Sequence, residues 1–329
     1  MSSSNIYTII SDNEKDMGIL DGLKKRFIDQ KFCYVDKAAD LYYSGIGKHD
    51  TLVKEEKNKI VADALDYMHL VTKNLKKDKK AAFISLGCGN GNPEKKTIVN
   101  LLEQGYDISY FGIDYSREML DLAVQNYQNI SCKKHFICAD VGSQEFQSTI
   151  LSLTDDYDIR IYAFLGFTFI ALDQSYFIDS MYSLMKKGDF FLFDILIRKD
   201  DTKKTLISFF ERYNNYLKND DFVKFHEMPI LYAGMDPQSG SFGFDYFQEK
   251  GTGAYIYRCF FQFNQKIIIT FKGQRIIFLP GEKITMIHRR NYNREQFEYF
   301  IAEHEFRYVD HIDHKVQDYV TNSCYLYAK

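Results

Sequence analysis

The residues best placed to do chemistry lie in one stretch, Ile84-Ser85-Leu86-Gly87-Cys88-Gly89-Asn90-Gly91-Asn92-Pro93, where an apolar run enters a turn with glycine at alternate positions. Gly87, Gly89 and Gly91 allow a ligand to approach backbone amides that a side chain would shield, and the helix that follows offers its amino terminus. Counted from Gly87, a dinucleotide G-x-G-x-x-G fingerprint needs glycine at position 92, where the chain has Asn92. No G-K-[ST] follows for a phosphate-binding loop either. Two carboxylates then close successive apolar runs. Asp114, in Gly112-Ile113-Asp114-Tyr115-Ser116, comes 27 residues after Gly87 and can accept both ribose hydroxyls of an adenosine ligand. Asp140, in Cys138-Ala139-Asp140-Val141, can take the adenine amino group while Val141 packs on the ring. Turn, ribose acid and base acid together describe a nucleoside pocket.

The elements that must position these residues follow from the apolar rhythm. From Ala81 the runs AAFISLG, ISYFGID, KHFICAD, IRIYAFLG and DFFLFDIL alternate with amphipathic helices, a βαβα series that predicts a parallel sheet with helices on both faces. The glycines and both acids fall at strand ends along one edge, where open α/β sheets bind ligands. Asn92 is expected to cap the first helix, with Pro93 in its first turn; Ser116 and Asp173 cap two others, and Lys186-Lys187-Gly188 ends the last of these. After Ile197 the alternation stops. A helix over Thr205–Leu217 precedes YIYRCFFQF, KIIITFK, QRIIFLP and KITMIHRR, which read as an antiparallel meander with turns at Asn264-Gln265 and Lys272-Gly273. The α/β theme returns with a helix at Arg294–Glu303 and the strands FRYVDHI and NSCYLYA, which should rejoin the first sheet. The expected organisation is an N-terminal helical cap (1–80, with an amphipathic stretch over Lys54–Val71), a cofactor-binding core (81–197), an α+β insert forming a substrate lobe (198–290) and a segment completing the core sheet (291–329).

Composition narrows the function. The chain has 329 residues, 42 Lys+Arg against 45 Asp+Glu and a net charge of −3, too little positive charge for nucleic-acid binding driven by phosphate contacts. Its apolar runs fall short of the roughly 18–20 residues of a membrane helix, and its start, MSSSNIYTIISDNEKD, lacks the marks of a secretory signal. Six cysteines without a CxxC argue for reduced thiols in the cytoplasm and give no support for structural zinc. Cys88 reads as a small filler of the turn. His311 and His314 differ by three positions in a strand and so point to opposite faces, which disfavours a metal site with His304. The Lys73–Lys80 run reads as a solvated linker.

SLGCGNG, GIDYS and ADV resemble the first three motifs of the class I S-adenosylmethionine-dependent methyltransferases. Within that class the chain is most similar, from about residue 30 onward, to the histidine-specific Nα-methyltransferase family of the ergothioneine pathway. The supporting segments are Glu94-Lys95-Lys96-Thr97, Phe164-Leu165-Gly166, KKGDFFLFDILIRKDD, and Pro280-Gly281-Glu282-Lys283-Ile284 followed by a helix and EFRYVDHI. The resemblance implies a doubly wound, seven-stranded, mostly parallel Rossmann-like sheet, with a second lobe built from N-terminal helices and the antiparallel insert. It implies S-adenosyl-L-methionine as cofactor, held by Gly87, Cys88, Gly89, Gly91, Lys95, Asp114, Tyr115, Asp140, Val141, Phe164 and Gly166, and methyl transfer to a small-molecule acceptor at an amine nitrogen. The faces of Tyr43, Phe164 and Phe167 can attract the sulfonium.

The departures bear on the acceptor. Ser85 stands where that class carries an acid, so one contact to the methionine amine must come from elsewhere. The family holds the histidine amine with an Asn and the imidazole with a Glu and a Ser; this chain has Ala171, Ile287 and Arg289 at the matching positions. An apolar wall with an Arg suits a larger, flatter or acidic acceptor, and histidine is not expected as substrate. In-line methyl transfer needs no protein nucleophile, and the sequence points to no general base. A nucleic-acid or protein amide methyltransferase is disfavoured because Ala163-Phe164-Leu165-Gly166-Phe167 has no proline. The missing acceptor anchors are also compatible with a non-catalytic module that keeps the cofactor pocket. Oligomeric state is left open.

Overall fold

A computed structural model of the chain describes residues 6–34, 38, 66–165, 169 and 172–329. From the amino terminus run β1 (Ile6–Thr8), α1 (Asp12–Lys25), β2 (Lys80–Leu86), α2 (Asn92–Glu103), β3 (Asp107–Asp114), α3 (Arg117–Tyr127), β4 (Lys134–Cys138), α4 (Gln144–Leu153), β5 (Ile159–Phe164), α5 (Gln174–Leu184) and β6 (Phe190–Arg198). There follow α6 (Lys203–Tyr216), α7 (Asp220–Tyr232), β7 (Gly240–Gln248), β8 (Tyr255–Phe263), β9 (Ile267–Phe271), β10 (Gln274–Phe278), β11 (Lys283–Asn293), α8 (Arg294–Ala302), β12 (Arg307–Gln317) and β13 (Val320–Ala328). The chain divides into two compact units: Met1–Ile10 with Lys54–Ile197 and Arg294–Lys329, and Ser11–Val53 with Arg198–Asn293.

The first unit carries one sheet in the order β1-β4-β3-β2-β5-β6, every pair parallel, with β13 on β6 and β12 antiparallel on β13. This is the doubly wound α/β sheet expected from the alternating runs, and β2 is its switch point, with β3 on one side and β5 on the other. β2, β5 and β6 are buried almost throughout because helices cover both faces, which is why they read as continuous apolar runs. Residues 66–72, the described end of the amphipathic Lys54–Val71 stretch, are helical and bury Tyr67, Leu70 and Val71 in one cluster with Phe83, Leu192 and Leu326.

Residues 1–80, read from the sequence as one helical cap, are shared between the units, and the first described element is the strand β1, paired with β4 from Ile6 beside Phe136 to Thr8 beside Cys138. Three residues are too few to show alternation, so nothing local announces this strand. Among the described residues no helix is long and apolar enough to cross a membrane.

In the second unit β8 lies antiparallel between β7 and β11, while β9 and β10 form a separate two-stranded hairpin. The turn expected at Lys272-Gly273 is present, with φ of 48° and 73°, the positive pair a two-residue hairpin turn needs. The expected meander is corrected by the long β8–β11 ladder, which runs from Lys283 beside Gln262 to Asn291 beside Tyr255 and leaves the hairpin outside it. α7 is an addition to the sequence reading. Pro229 inside it reads as a helix breaker, yet the helix is capped by Asn219, whose side chain accepts from the amides of Asp221 and Phe222.

Candidate functional site

The site is assembled at the carboxyl ends of β2, β3 and β4. Leu86 pairs with Ile113, so the glycine turn leaves β2 level with Asp114 at the end of β3, and Asp114 in turn pairs with Cys138 at the end of β4. Gly87, Gly89 and Gly91 have φ of 70°, 53° and 73°, all in the left-handed region that side chains disfavour. Their amides are turned inward. Those of Gly87 and Cys88 donate to the Ile113 carbonyl at 2.8 and 2.9 Å, that of Gly91 to the Cys88 carbonyl at 2.8 Å, and that of Gly89 to Asp114 Oδ2 at 2.8 Å. The glycines therefore serve backbone conformation and close approach rather than amide donation. A Cβ on Gly89 would meet nothing within 4 Å, so the top of the turn is open, whereas one on Gly91 would lie 2.6 Å from the Tyr127 ring.

Gly91, and not Asn92, is the N-cap of α2; Asn92 is its first residue, followed by Pro93. The cap position needs positive φ, which Asn92 is spared. Asn90 replaces the missing side-chain cap: its Oδ1 accepts from the Asn92 amide at 3.1 Å, and its carbonyl accepts from Asn126 at 2.9 Å. Ser116 and Asp173 cap α3 and α5 as expected, through the amides of Met119 and Tyr176.

Asp114 joins the turn to the next helix. Its Oδ2 accepts from Gly89 and its Oδ1 from the Ser116 amide at 2.9 Å, and each oxygen keeps further lone-pair capacity. Burial pushes its carboxyl up to about 6 against those backbone bonds. The chain also places a second carboxyl here that the sequence reading did not single out. Glu94, in the first turn of α2 and 1% exposed, accepts the Tyr110 hydroxyl at 2.6 Å and the Ser85 hydroxyl, and burial raises its pKa. Tyr110 stacks on Tyr127, whose own hydroxyl donates to the Gly91 carbonyl at 3.1 Å. Among the described residues no cation pairs with either carboxyl. Burial and the two nearby charges push the Cys88 thiol well up, which suits a filler and not a nucleophile.

Asp140 Oδ1 accepts from the Gly142 amide at 3.0 Å, shaping the turn into α4 beside Val141. Tyr115 is half-buried, as is Lys95, which forms no ion pair among the described residues. Phe164 is fully buried against Phe177, with ring centroids 4.7 Å apart, a packing role. Ile287 and Arg289 belong to the second unit: Ile287 is buried beside Cys259, and Arg289 donates to Gln30 at 3.2 Å. Tyr43, Gly166, Phe167 and Ala171 lie outside the described residues. His304, His311 and His314 bond to different partners, Asp179, Tyr308 and Asp66.

No protein-family model matches the chain, and no curated protein matches it. Among solved structures it is similar to an S-adenosylmethionine-dependent methyltransferase from Clostridium acetobutylicum ATCC 824 (16% identity over 88% of this chain and 96% of that one, TM-score 0.43). It is also similar to magnesium protoporphyrin IX methyltransferase from Synechocystis PCC 6803 (12% identity, 88% and 91%, TM-score 0.43). A third likeness is to an amino pentose methyltransferase from Micromonospora echinaspora (11% identity, 83% and 96%, TM-score 0.39). These likenesses stand beside the strand order, which by itself makes the first unit a doubly wound, Rossmann-like α/β sheet.

Proposed function

We propose that the chain is a methyltransferase that uses S-adenosyl-L-methionine and acts on a small-molecule acceptor at an amine nitrogen. The observation that carries the cofactor part of this reading is the pair of carboxyls, Asp114 and Glu94, set around an open glycine turn with no cation among the described residues to pair with them. A carboxylate removed from water without a counter-charge is costly, so this pocket disfavours the phosphates of a dinucleotide or nucleoside triphosphate and favours a nucleoside that brings positive charge. Among adenosine cofactors, that charge belongs to a sulfonium and an α-ammonium.

In this reading Asp114 accepts the ribose hydroxyls, Asp140 and Val141 take the base, and Lys95 is available to an anionic end. When bound there, S-adenosyl-L-methionine would supply an electrophilic methyl group to an acceptor nitrogen, its sulfur leaving with the C–S electron pair and the surplus amine proton passing to solvent. The chain would contribute orientation of the two reactants and exclusion of water. The resemblance to the histidine-specific family supports this fold and cofactor, and the acceptor is left to this chain's own residues.

The test is conversion of methyl-labelled S-adenosylmethionine in the presence of a pool of amines. Acceptor-dependent formation of S-adenosylhomocysteine and a labelled amine is the expected outcome. Tight cofactor binding with no turnover on any acceptor would assign the chain to non-catalytic cofactor binding instead.

A further inference from the structure

Glu94 is buried in a way that helix chemistry alone does not require. A glutamate in a first helical turn is stabilised by the helix dipole while fully solvated. Here the carboxyl is instead turned inward onto the sheet, where two neutral hydroxyls hold it: Tyr110 from the middle of β3 and Ser85 from the last turn of side chains before Gly87 on β2. Ser85 pairs with Gly112 on one side and Ala163 on the other, so it sits in the central strand of the sheet, two residues before Gly87. Were the cluster only structural, a neutral side chain of the same shape would serve it better, since a buried carboxyl with no cation destabilises its own charged form. Among the described residues no cation reaches this carboxyl, and a Cβ on Gly89 would meet nothing within 4 Å.

We propose that Glu94, acting through the Ser85 hydroxyl, is the positioning residue for the α-ammonium of the cofactor's amino-acid end. This rests on the cofactor reading above and deepens it. The two carboxyls then divide the ligand between them. Asp114 at the end of β3 holds the ribose, and Glu94 beside the amino terminus of α2 attracts the ammonium, which donates to Ser85 as Ser85 donates to Glu94. Tyr110, stacked on Tyr127, keeps the carboxyl in place.

Two nucleosides separate this role from a merely structural one. S-adenosylhomocysteine carries the ammonium; 5′-methylthioadenosine keeps the base, ribose and thioether and lacks the amino acid. In the full chain, Glu94→Gln preserves the shape and is expected to weaken S-adenosylhomocysteine by at least tenfold, the scale of one charge-assisted bond, and methylthioadenosine by less than about twofold. Equal weakening of both ligands, or of neither, overturns the assignment. If Glu94→Gln does not fold, Ser85→Ala tests the same relay and should show the same selective loss. A wild-type chain that binds neither nucleoside overturns the cofactor reading itself, an outcome distinct from loss of selectivity alone.

Discussion

Asp114→Ala is expected to weaken S-adenosylhomocysteine binding by at least a hundredfold while the chain stays folded, because in the proposed reading two charge-assisted bonds to the ribose, each worth roughly 1.5–3 kcal/mol, are lost together. The truncation also releases the Gly89 and Ser116 amides that Asp114 now holds, so the turn loses part of its preorganisation. Asp114→Asn keeps one acceptor oxygen and should fall between the two. The same carboxyl predicts a pH dependence. Its pKa of about 6 in the ligand-free chain lies above its ordinary value of 3.8, so its contribution to folding stability is fully present below that ordinary value and is lost as pH rises through 6. Ribose hydroxyls favour the ionised form, so ligand affinity runs the other way: flat above pH 6 and falling about tenfold per pH unit below it. Calorimetric titration of the ligand between pH 5 and 8 reads the affinity effect. A folded Asp114→Ala variant with wild-type affinity, or a wild-type affinity independent of pH, contradicts the role.

Free L-histidine is expected to be a very poor acceptor, by several orders of magnitude relative to the chain's own substrate. In the resemblance drawn from the sequence, Ile287, 2% exposed and beside Cys259 in the β8–β11 ladder, stands where the family has a Glu, and Arg289 where it has a Ser, so neither a carboxylate nor a hydroxyl is offered to an imidazole. Each unpaired polar group on a buried substrate costs roughly 1–3 kcal/mol, and two or three such losses compound. Methyl transfer to histidine is to be compared with transfer to other amines and aromatic acids under one set of conditions. Robust conversion of histidine to its trimethylated product would falsify the placement of Ile287 and Arg289 opposite the family's anchors.

How far the structure was legible depended on whether the determining interaction was local. The sheet and its acids could be read because apolar runs such as Ala81–Leu86 and Ile108–Ile113 are bounded by glycines and carboxylates in the chain itself. The Lys272-Gly273 hairpin was equally local. Glu94 was not legible in the same way: what turns it inward is a hydroxyl 16 residues away on another strand, and nothing in the sequence joins Glu94 to Tyr110 or to Ser85. β1 escaped for a similar reason, since its pairing with β4 is a contact between segments more than a hundred residues apart. The cap of α2 fell one residue early because a backbone requirement, positive φ at Gly91, outweighed the side-chain preference of Asn92. In the second unit, the length of the β8–β11 ladder decided the topology, and only its turns were written locally.

The central claim is that the glycine turn with Asp114 and Glu94 takes a cationic adenosine cofactor and not a dinucleotide. Thermal unfolding of the full chain with S-adenosylhomocysteine and, separately, with NADH tests it most directly. A ligand that binds only the folded chain stabilises it by RT ln(1 + [L]/Kd), about 2.7 kcal/mol at a hundredfold excess over Kd. S-adenosylhomocysteine should raise the melting temperature accordingly and NADH should leave it unchanged. Stabilisation by NADH with none by S-adenosylhomocysteine would contradict the account.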